Sequence, residues 1–375
     1  MSEWIKDALS ESIQKLVVSS RQVGDGFVHK ALDSKNWICE EYEGAWVNGY
    51  WPGTMWMMYD ITGDEWFKNI ANECERKLDA NITAYDLLSH DVGFMYMLTC
   101  KPNYVLFGNE MSKKRLLFMA NLLAGRFNIK GNFIRAWEEY PEEPNDVCGW
   151  AIIDCTMNLP LLFWASEETG DPRFAHIAKA HADTVLKCFL REDGSVNHIC
   201  EFDKFTGEFI RVRSGQGYSS DSAWARGASW AIHGLALVYG YTKDERYLKG
   251  AKKAAKYFFE HLPEDCVPYW DLLAPVDKDT PRDASAGANA ASGMLEIAKY
   301  SFGEEKEYFT GCAEKILKSL WDNYFIHNET AMPLLKGSTI HKPAGYGIDC
   351  SVVYADFYFI EALRKLEGRE EIYLW

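Results

Sequence analysis

The sequence predicts an all-α fold, an (α/α)6 barrel of about six helical hairpins carrying one small inserted β-hairpin. Three observations predict it. One junction recurs along the 375 residues: a long apolar helix stops at a small polar turn and an acid-led amphipathic helix follows. The helices on the two sides of that junction differ in character, and the strand signal is confined to a single place.

The junctions are Tyr59-Asp-Ile-Thr-Gly-Asp-Glu-Trp-Phe67, Ser166-Glu-Glu-Thr-Gly-Asp-Pro-Arg-Phe174 and Tyr239-Gly-Tyr-Thr-Lys-Asp-Glu-Arg-Tyr247. Looser copies span Lys299 to Tyr308 and Leu366 to Tyr373, and a degraded one is Thr99-Cys-Lys-Pro-Asn-Tyr104. In most of them Gly ends the first helix and Asp or Glu opens the next, the chemistry of a left-handed C-cap and an N-cap. The spacing of roughly 45–70 residues is that of a helical-hairpin array. The first helix of each unit is apolar and aromatic. The second is charged on one face, as in Lys249-Gly-Ala-Lys-Lys-Ala-Ala-Lys-Tyr-Phe-Phe-Glu260. Helices apolar all round belong inside and one-sided helices outside, so an inner ring within an outer ring follows. An open solenoid would need polar capping repeats, and neither end reads as one. The hairpin is expected from Gly194–Asp203 and Glu208–Arg213 around Lys204-Phe-Thr-Gly207. No Gly/Ser-rich linker interrupts the chain, so one domain over residues 1–375 is expected.

Within this scheme Asp146 to Ser166 reads as a helix apolar on nearly every side, with one acid, Asp154, in its middle. A buried carboxyl is costly unless it is hydrogen-bonded or neutral, and burial raises its pKa toward what a proton donor needs. On that stretch alone a structural tie to a neighbouring helix is the better reading.

Composition sets the outer limits. The chain is 47% hydrophobic with 14 Trp, enough for a large core and suited to stacking on sugar rings. A net charge of -15 argues against nucleic acid or an anionic membrane as partner, while a local Arg or Lys can still hold a small anion. The ten cysteines include no C-x-x-C pair and fit free thiols of a reducing compartment. The first residues lack a basic segment followed by an apolar one, and no apolar run is long enough to span a bilayer. A cytoplasmic protein, monomer or homodimer, is expected.

Many polar residues of the inner helices collect at helix starts. Trp46 and Asn48 precede Trp51-Pro-Gly53. His90 and Asp91 precede Val-Gly-Phe-Met, and Trp137 precedes the Asp154 segment. Gln216 to Arg226 precede Gly-Ala-Ser-Trp230, Arg282 and Asp283 precede Ala-Ser-Ala, and Lys342 and Asp349 precede Ser-Val-Val-Tyr354. If the inner helices run the same way, these starts share one mouth. Their free N–H groups there favour an anionic ligand. Each residue has a plainer reading: Asp91 as an N-cap, Arg226 as the partner of a nearby acid, and Trp46, Trp137 and Trp230 as core. His176 and His181 lack zinc-pair spacing. No His-Glu-x-x-His, Gly-x-Gly-x-x-Gly, P-loop or Gly-x-Ser-x-Gly occurs, so neither metal nor cofactor is expected.

Several stretches together resemble the unsaturated glucuronyl hydrolases of glycoside hydrolase family 88. They are Trp46-Val-Asn-Gly-Tyr-Trp-Pro-Gly53, His90-Asp-Val-Gly-Phe-Met-Tyr96, Gly131-Asn-Phe-Ile-Arg-Ala-Trp137 and Ile152-Ile-Asp-Cys-Thr-Met-Asn-Leu-Pro-Leu161. Asp193-Gly-Ser-Val-Asn-His198, the run from Gln216 to Trp230, Arg282-Asp-Ala-Ser-Ala286 and Tyr354-Ala-Asp-Phe-Tyr-Phe359 complete the set. The resemblance implies the (α/α)6 barrel and a substrate left by a polysaccharide lyase, an oligosaccharide ending in a C4=C5 unsaturated uronic acid. It implies Asp154 as general acid and base and Asp91 as the second carboxylate. Arg226, Gln216 and Ser214 would hold the uronate carboxylate and hydroxyls, Trp230, His90 and His198 would line the sugar site, and Trp46 and Trp137 would stack on the next sugar. Ser214 stands where Thr is expected, and Ala228-Ser229 depart from the pattern. Ser338, in the loop Lys336 to Gly345, would face a sulfate on the neighbouring sugar. Rival readings are an unsaturated rhamnogalacturonyl hydrolase on the same barrel, a sugar 2-epimerase using His90, His198 or His341, and a non-catalytic helical scaffold.

Overall fold

The computed structural model of the chain describes residues 2–137, 146–327, 331–369 and 374–375. Among them lie twelve helices of eleven residues or more: α1 (Glu3–Val23), α2 (Tyr50–Thr62), α3 (Glu65–Lys77), α4 (Val92–Phe107), α5 (Glu110–Gly125), α6 (Leu159–Thr169), α7 (Pro172–Thr184), α8 (Ala225–Thr242), α9 (Glu245–Glu260), α10 (Ala284–Lys299), α11 (Gly303–Ser319) and α12 (Val353–Leu366). The even-numbered helices touch one another in a closed ring, α2–α4–α6–α8–α10–α12 and back to α2. Each odd-numbered helix packs outside, α1 on α12 and the others on the helix before them. This is the (α/α)6 barrel.

The two rings follow from composition. Every residue of α10 from Ala284 to Ala298 is buried, and so is α12 from Val353 to Arg364. In α9 burial is restricted to Tyr247, Leu248, Gly250, Ala251, Ala254, Ala255, Tyr257 and Phe258, one stripe at helical spacing. The junctions form as the caps require. Gly63 and Gly170 take left-handed φ of 68° and 71°. The carboxylates of Asp64, Asp171 and Asp244 then accept the backbone N–H of Trp66, Arg173 and Arg246. Each such cap contributes about 1 kcal/mol.

Three expectations need correction. Thr99–Tyr104 is not a turn but the interior of α4, with Pro102 inside the helix; the junction lies at Gly108-Asn109, where Asn109 accepts from Met111 and Ser112. The polar residues that suggested a loop are used by neighbours: Asn103 donates to Asn72 and to Glu75, and Lys101 to the main-chain oxygen of Trp375. Second, strands are not confined to one hairpin. The expected pair is present as β6 (Ile199–Phe202) and β7 (Phe209–Arg213), and a third strand, β5 (Trp150–Ile152), adds antiparallel to β6. Two further small sheets form, β2 (Ile38–Cys39)–β1 (Val28–Ala31)–β8 (Ser351–Val352) and β3 (Phe127–Asn128)–β4 (Phe133–Ile134). Third, Asp154 is not in mid-helix. The stretch runs as β5, then a 3-10 turn over Ile153–Met157, and α6 starts only at Leu159. Pro160 sits in the first turn of α6, where its missing N–H costs nothing. The loose junction at Leu366–Tyr373 falls partly on 370–373, outside the described residues.

One apolar cluster runs through all twelve helices. A smaller one, Ala136, Val147, Trp150, Ile152 and Ile199, packs beneath Trp137. Among the described residues no helix is long and apolar enough to cross a membrane.

Candidate active site

The starts of the six inner helices meet at one mouth. Trp46, on the 3-10 turn before α2, packs on Tyr50 of α2, Phe94 of α4, Trp230 of α8 and Tyr354 of α12, with ring centroids 5.0–6.4 Å apart. Phe94 also packs on Trp230 at 5.1 Å. The guanidinium of Arg226 lies 5.5 Å from the Tyr354 ring and 4.6 Å from that of Trp224, and His198 packs on Trp224 at 4.3 Å with the rings tilted by 42°. The wall of the site is thus aromatic on one side and polar on the other.

Asp154 is placed by the turn between β5 and α6. Its Oδ2 is buried and has no hydrogen-bond partner among the described residues. Burial first, and then the negative charge of Asp91, push its carboxyl up to about 7, against the opposing pull of Arg226. His198 Nε2 lies 3.8 Å from Asp154 Oδ2. His198 Nδ1 has the Ser214 carbonyl at 3.2 Å and the Gln216 N–H at 3.0 Å; the shorter contact, with its donor hydrogen fixed by the backbone, favours the neutral ring with its proton on Nε2, the nitrogen facing Asp154. Burial pushes His198 down to about 3, which keeps it neutral.

Asp91 precedes α4. Burial lifts it to about 6, offset by hydrogen bonds from Ser89 Oγ (3.2 Å) and Asn158 Nδ2 (3.2 Å). His90 is fully buried, with Nε2 3.3 Å from Asp91 Oδ1, and burial holds it far below the usual histidine range. Asn158 also donates to the main-chain oxygen of Asp154 at 3.2 Å. One amide thus ties the Asp91 carboxyl to the Asp154 main chain, and because the charge of Asp91 bears on the Asp154 carboxyl the two acids titrate as a coupled pair.

Arg226 sits in the first turn of α8 and is almost wholly buried. Nη1 donates to Asp283 Oδ2 and to Thr339 O, both at 2.6 Å; Nη2 donates to Gln216 Oε1 at 2.8 Å and to Ile340 O at 2.5 Å. All four Nη hydrogens are therefore engaged within the protein. Of these partners Gln216 is the one not buried. With its oxygen on Arg226, its amide nitrogen is left to donate. Trp230 Nε1 and the Tyr354 hydroxyl are buried and, among the described residues, unpartnered. Unsatisfied buried polar atoms of this kind are costly unless a ligand or solvent completes them.

The remaining sequence candidates fall around this centre. Trp137 follows Ala136, whose carbonyl accepts from His90 N at 3.1 Å, and its ring packs on Trp150 at 6.3 Å. Ser214 is half-buried, and its carbonyl lies 3.2 Å from His198 Nδ1. With His341 and Arg213 it lines a cavity of about 590 Å³. Ser338 is fully buried beside Cys350, away from that cavity's lining, and its hydroxyl has no partner among the described residues. His341 belongs to the rim, whereas His233 is deep in the barrel on Asn289. Sequence reasoning missed Asn158 and the Asp283–Arg226 pair. A lone Asn before Leu-Pro reads as a cap, and nothing in its spacing points to Asp91, 67 residues away.

The model for Glycosyl Hydrolase Family 88 matches residues 17–368. The chain is 33% identical over 367 residues to the unsaturated glucuronyl hydrolase of Bacillus sp. (strain GL1), covering 97% of this chain and 96% of that protein. It is 32% identical over 384 residues to the unsaturated chondroitin disaccharide hydrolase of Streptococcus agalactiae serotype III, covering 98% and 93%. The crystal structure of the Bacillus sp. GL1 enzyme, described as responsible for the degradation of glycosaminoglycan, superposes with a TM-score of 0.92 over 97% of both chains at 32% identity.

Proposed function

The chain belongs to glycosyl hydrolase family 88, and on that basis we propose that it is an unsaturated glucuronyl hydrolase. It releases the C4=C5 unsaturated uronic acid from the non-reducing end of lyase-generated glycosaminoglycan disaccharides and oligosaccharides. The observation that carries this reading is Asp154: a half-buried carboxyl whose buried Oδ2 has no hydrogen-bond partner among the described residues, held near pKa 7 beside a neutral histidine and an aromatic wall.

The reaction is a hydration. The double bond joins C4 to C5, and C5 carries the ring oxygen, so the group is a vinyl ether. Asp154 in its acid form donates its proton to C4, and a water oxygen bonds to C5. The carboxylate left behind takes the proton that the water gives up. The product is a hemiketal at C5. It opens by breaking the bond from C5 to the ring oxygen, leaving a ketone at C5. The ring oxygen is then a hydroxyl on C1, and C1 collapses to an aldehyde as it releases the rest of the sugar. A group that first gives and then takes a proton works best with a pKa near the operating pH, and carboxylate separation has no bearing on stereochemistry here, since the anomeric carbon is never attacked. Asp91 holds the Asp154 proton through its charge. Gln216, oriented by Arg226, donates to the uronate; Ser214, His198 and Trp230 complete the sugar site, and Trp46 and Trp137 stack on the next ring. Helix starts supply the positive end for an anionic substrate within an acidic protein. His90 backs Asp91, and the loop that meets the neighbouring sugar presents His341 to the cavity, whereas Ser338 lies buried behind it. The ten free thiols fit a cytoplasmic setting.

The test is loss of double-bond absorbance with a panel of unsaturated disaccharides, glucuronyl and galacturonyl, sulfated and not. Turnover of an unsaturated chondroitin disaccharide is expected. Turnover of the galacturonyl member alone would transfer the chain to the rhamnogalacturonan activity.

A further inference from the structure

Asp91 occupies the N-cap position of α4, yet its carboxylate does not cap that helix. Aspartate at this position ordinarily accepts an amide hydrogen from the first turn. Asp64, Asp171 and Asp244 do so in the outer ring, and Asp283 does so in α10. In α4 the third amide of the helix, Phe94 N–H, is instead taken by Asn158 Oδ1 at 2.8 Å. The same side chain turns its amide nitrogen to Asp91 Oδ1 and to the Asp154 carbonyl, both at 3.2 Å. Its approach is possible because residue 93 is glycine. A Cβ there would lie 2.5 Å from Asn158 Oδ1 and 2.6 Å from Asn158 Cα.

We propose that Asn158 is a positioning residue: it caps α4 from the neighbouring helix, relieves Asp91 of that task, and holds the released carboxylate beside Asp154 as half of a coupled acid pair. This rests on the roles given above to the two aspartates. The physical consequence is direct. A carboxylate that caps a helix is stabilised as the anion by N–H groups and the helix dipole, and a capping Asp91 would be a poor reservoir of protons. Freed of the cap, it is left desolvated among neighbours that only partly offset its burial. The titratable and charged groups that face it are His90 on its own turn, Arg126 from the end of α5, Asp154 and Cys155 on the 3-10 turn, and Tyr50 from α2; Ser89 adds a hydroxyl.

Two substitutions at one position separate this role from plain structural support. In Asn158→Ala, Phe94 N–H loses its acceptor and Asp91 rotates to cap its own helix. The pair then loses its first proton at lower pH, by about one unit, and kcat falls about tenfold or more with KM within about twofold. In Asn158→Asp the acceptor for Phe94 N–H is kept, both donors are lost, and a third carboxylate joins the pair. The first proton is then held to higher pH, also by about one unit. Gly93→Ala, which leaves every polar group in place and displaces Asn158 by contact, should reproduce the shift of Asn158→Ala. The measurements are the acid limb of kcat against pH on an unsaturated chondroitin disaccharide and a 13C carboxyl titration of aspartate-labelled protein, with Asp91→Asn assigning the resonance. Opposite shifts in the two Asn158 variants support the role. Shifts in the same direction, or an Asp91 titration unmoved in both, overturn it. If the wild-type protein turns over none of the disaccharides, the functional reading fails, and the carboxyl titration still decides the place of Asn158.

Discussion

The two ends of the barrel carry the same kinds of buried residue in opposite states of satisfaction. At the mouth, Asp154 Oδ2, His198 Nε2, Trp230 Nε1 and the Tyr354 hydroxyl have no partner among the described residues. Toward the far end, where the inner helices finish, an acid, a cation, a histidine and a tryptophan are tied to one another. Lys365 donates to Ser292 Oγ at 3.0 Å and lies 3.4 Å from Glu296 and 3.8 Å from Glu361. Trp375 Nε1 donates to Glu361 at 2.6 Å. His198 and His233 are both pushed down to about 3, yet their tautomers are opposite: His233 pairs Nδ1 with Asn289 Oδ1 at 2.8 Å and accepts from Lys365 on Nε2 at 3.3 Å. Burial and a shifted ionisation are therefore common to both ends. What distinguishes the mouth is that its polar atoms are not completed by the protein.

The largest effects should fall on different observables at the two ends. Asp154→Asn should lower kcat about 10²–10⁴-fold, the range of general acid–base catalysis, with no loss of melting temperature, because it removes a buried charge that nothing pairs. Lys365→Met should do the reverse. It takes the shared cation from Glu296 and Glu361, leaving Lys299 near the first and Ser292 and Trp375 on the second, so the loss should approach, without exceeding, the about 3–5 kcal/mol of breaking a buried ion pair. Denaturant unfolding reads that loss, and kcat measured well below the new midpoint should be unchanged. A Lys365→Met enzyme that is stable but slow would break the division between the two ends.

Much of this division could be anticipated from sequence, and the part that could not has a physical cause. The alternation of all-round apolar and one-sided helices is a property of each segment, so the two rings were legible. The caps at Asp64, Asp171 and Asp244 were legible for the same reason, being local. Thr99–Tyr104 was misread because Pro102 and its polar neighbours look like a break, whereas their partners, Glu75 and Trp375, come from elsewhere in the chain. Asp154 was placed in mid-helix because an apolar run does not distinguish a buried strand from a buried helix. Pro160 was the available signal that the helix begins later. The gathering of Asp91, Asp154, Arg226 and the tryptophans followed from helix direction, but Asn158 did not, since its meaning lies wholly in contacts between two helices.

A smaller pair of effects sharpens the comparison. Trp230→Phe deletes one N–H that has no partner among the described residues and should leave stability unchanged. It should raise KM about 2–10-fold if that N–H meets the sugar, the worth of one net hydrogen bond. Trp375→Phe deletes the N–H that Glu361 Oε1 accepts, while Ser292 still serves Oε2, and the one oxygen left without its donor should cost about 1–3 kcal/mol in unfolding with KM unmoved.

The smallest effect concerns pH, and it separates two aspartates that ionisation alone cannot. Asp356 is more buried than the half-buried Asp154 and is likewise raised from 3.8 to about 7 by burial, but it accepts the backbone N–H groups of Leu334 and Leu335 at 2.8 and 3.0 Å. For both, the folded pKa lies above the unfolded one. Stability is therefore fully present below the unfolded value of 3.8, is lost as pH rises from there toward 7 while only the unfolded chain ionises, and is level beyond that. Asp154→Asn removes its share of this slope. The variant should match the wild type in melting temperature near pH 4 and exceed it by pH 8. Asp356→Asn also removes a share, but it turns an amide NH2 toward one of the two backbone N–H donors, where even the protonated carboxyl keeps an oxygen lone pair, so it should start below the wild type near pH 4 and close the gap as pH rises, with kcat retained. Equal curves for the two variants would mean that the backbone donors at Asp356 contribute nothing. A raised carboxyl would then carry no information about whether the protein or a substrate completes it.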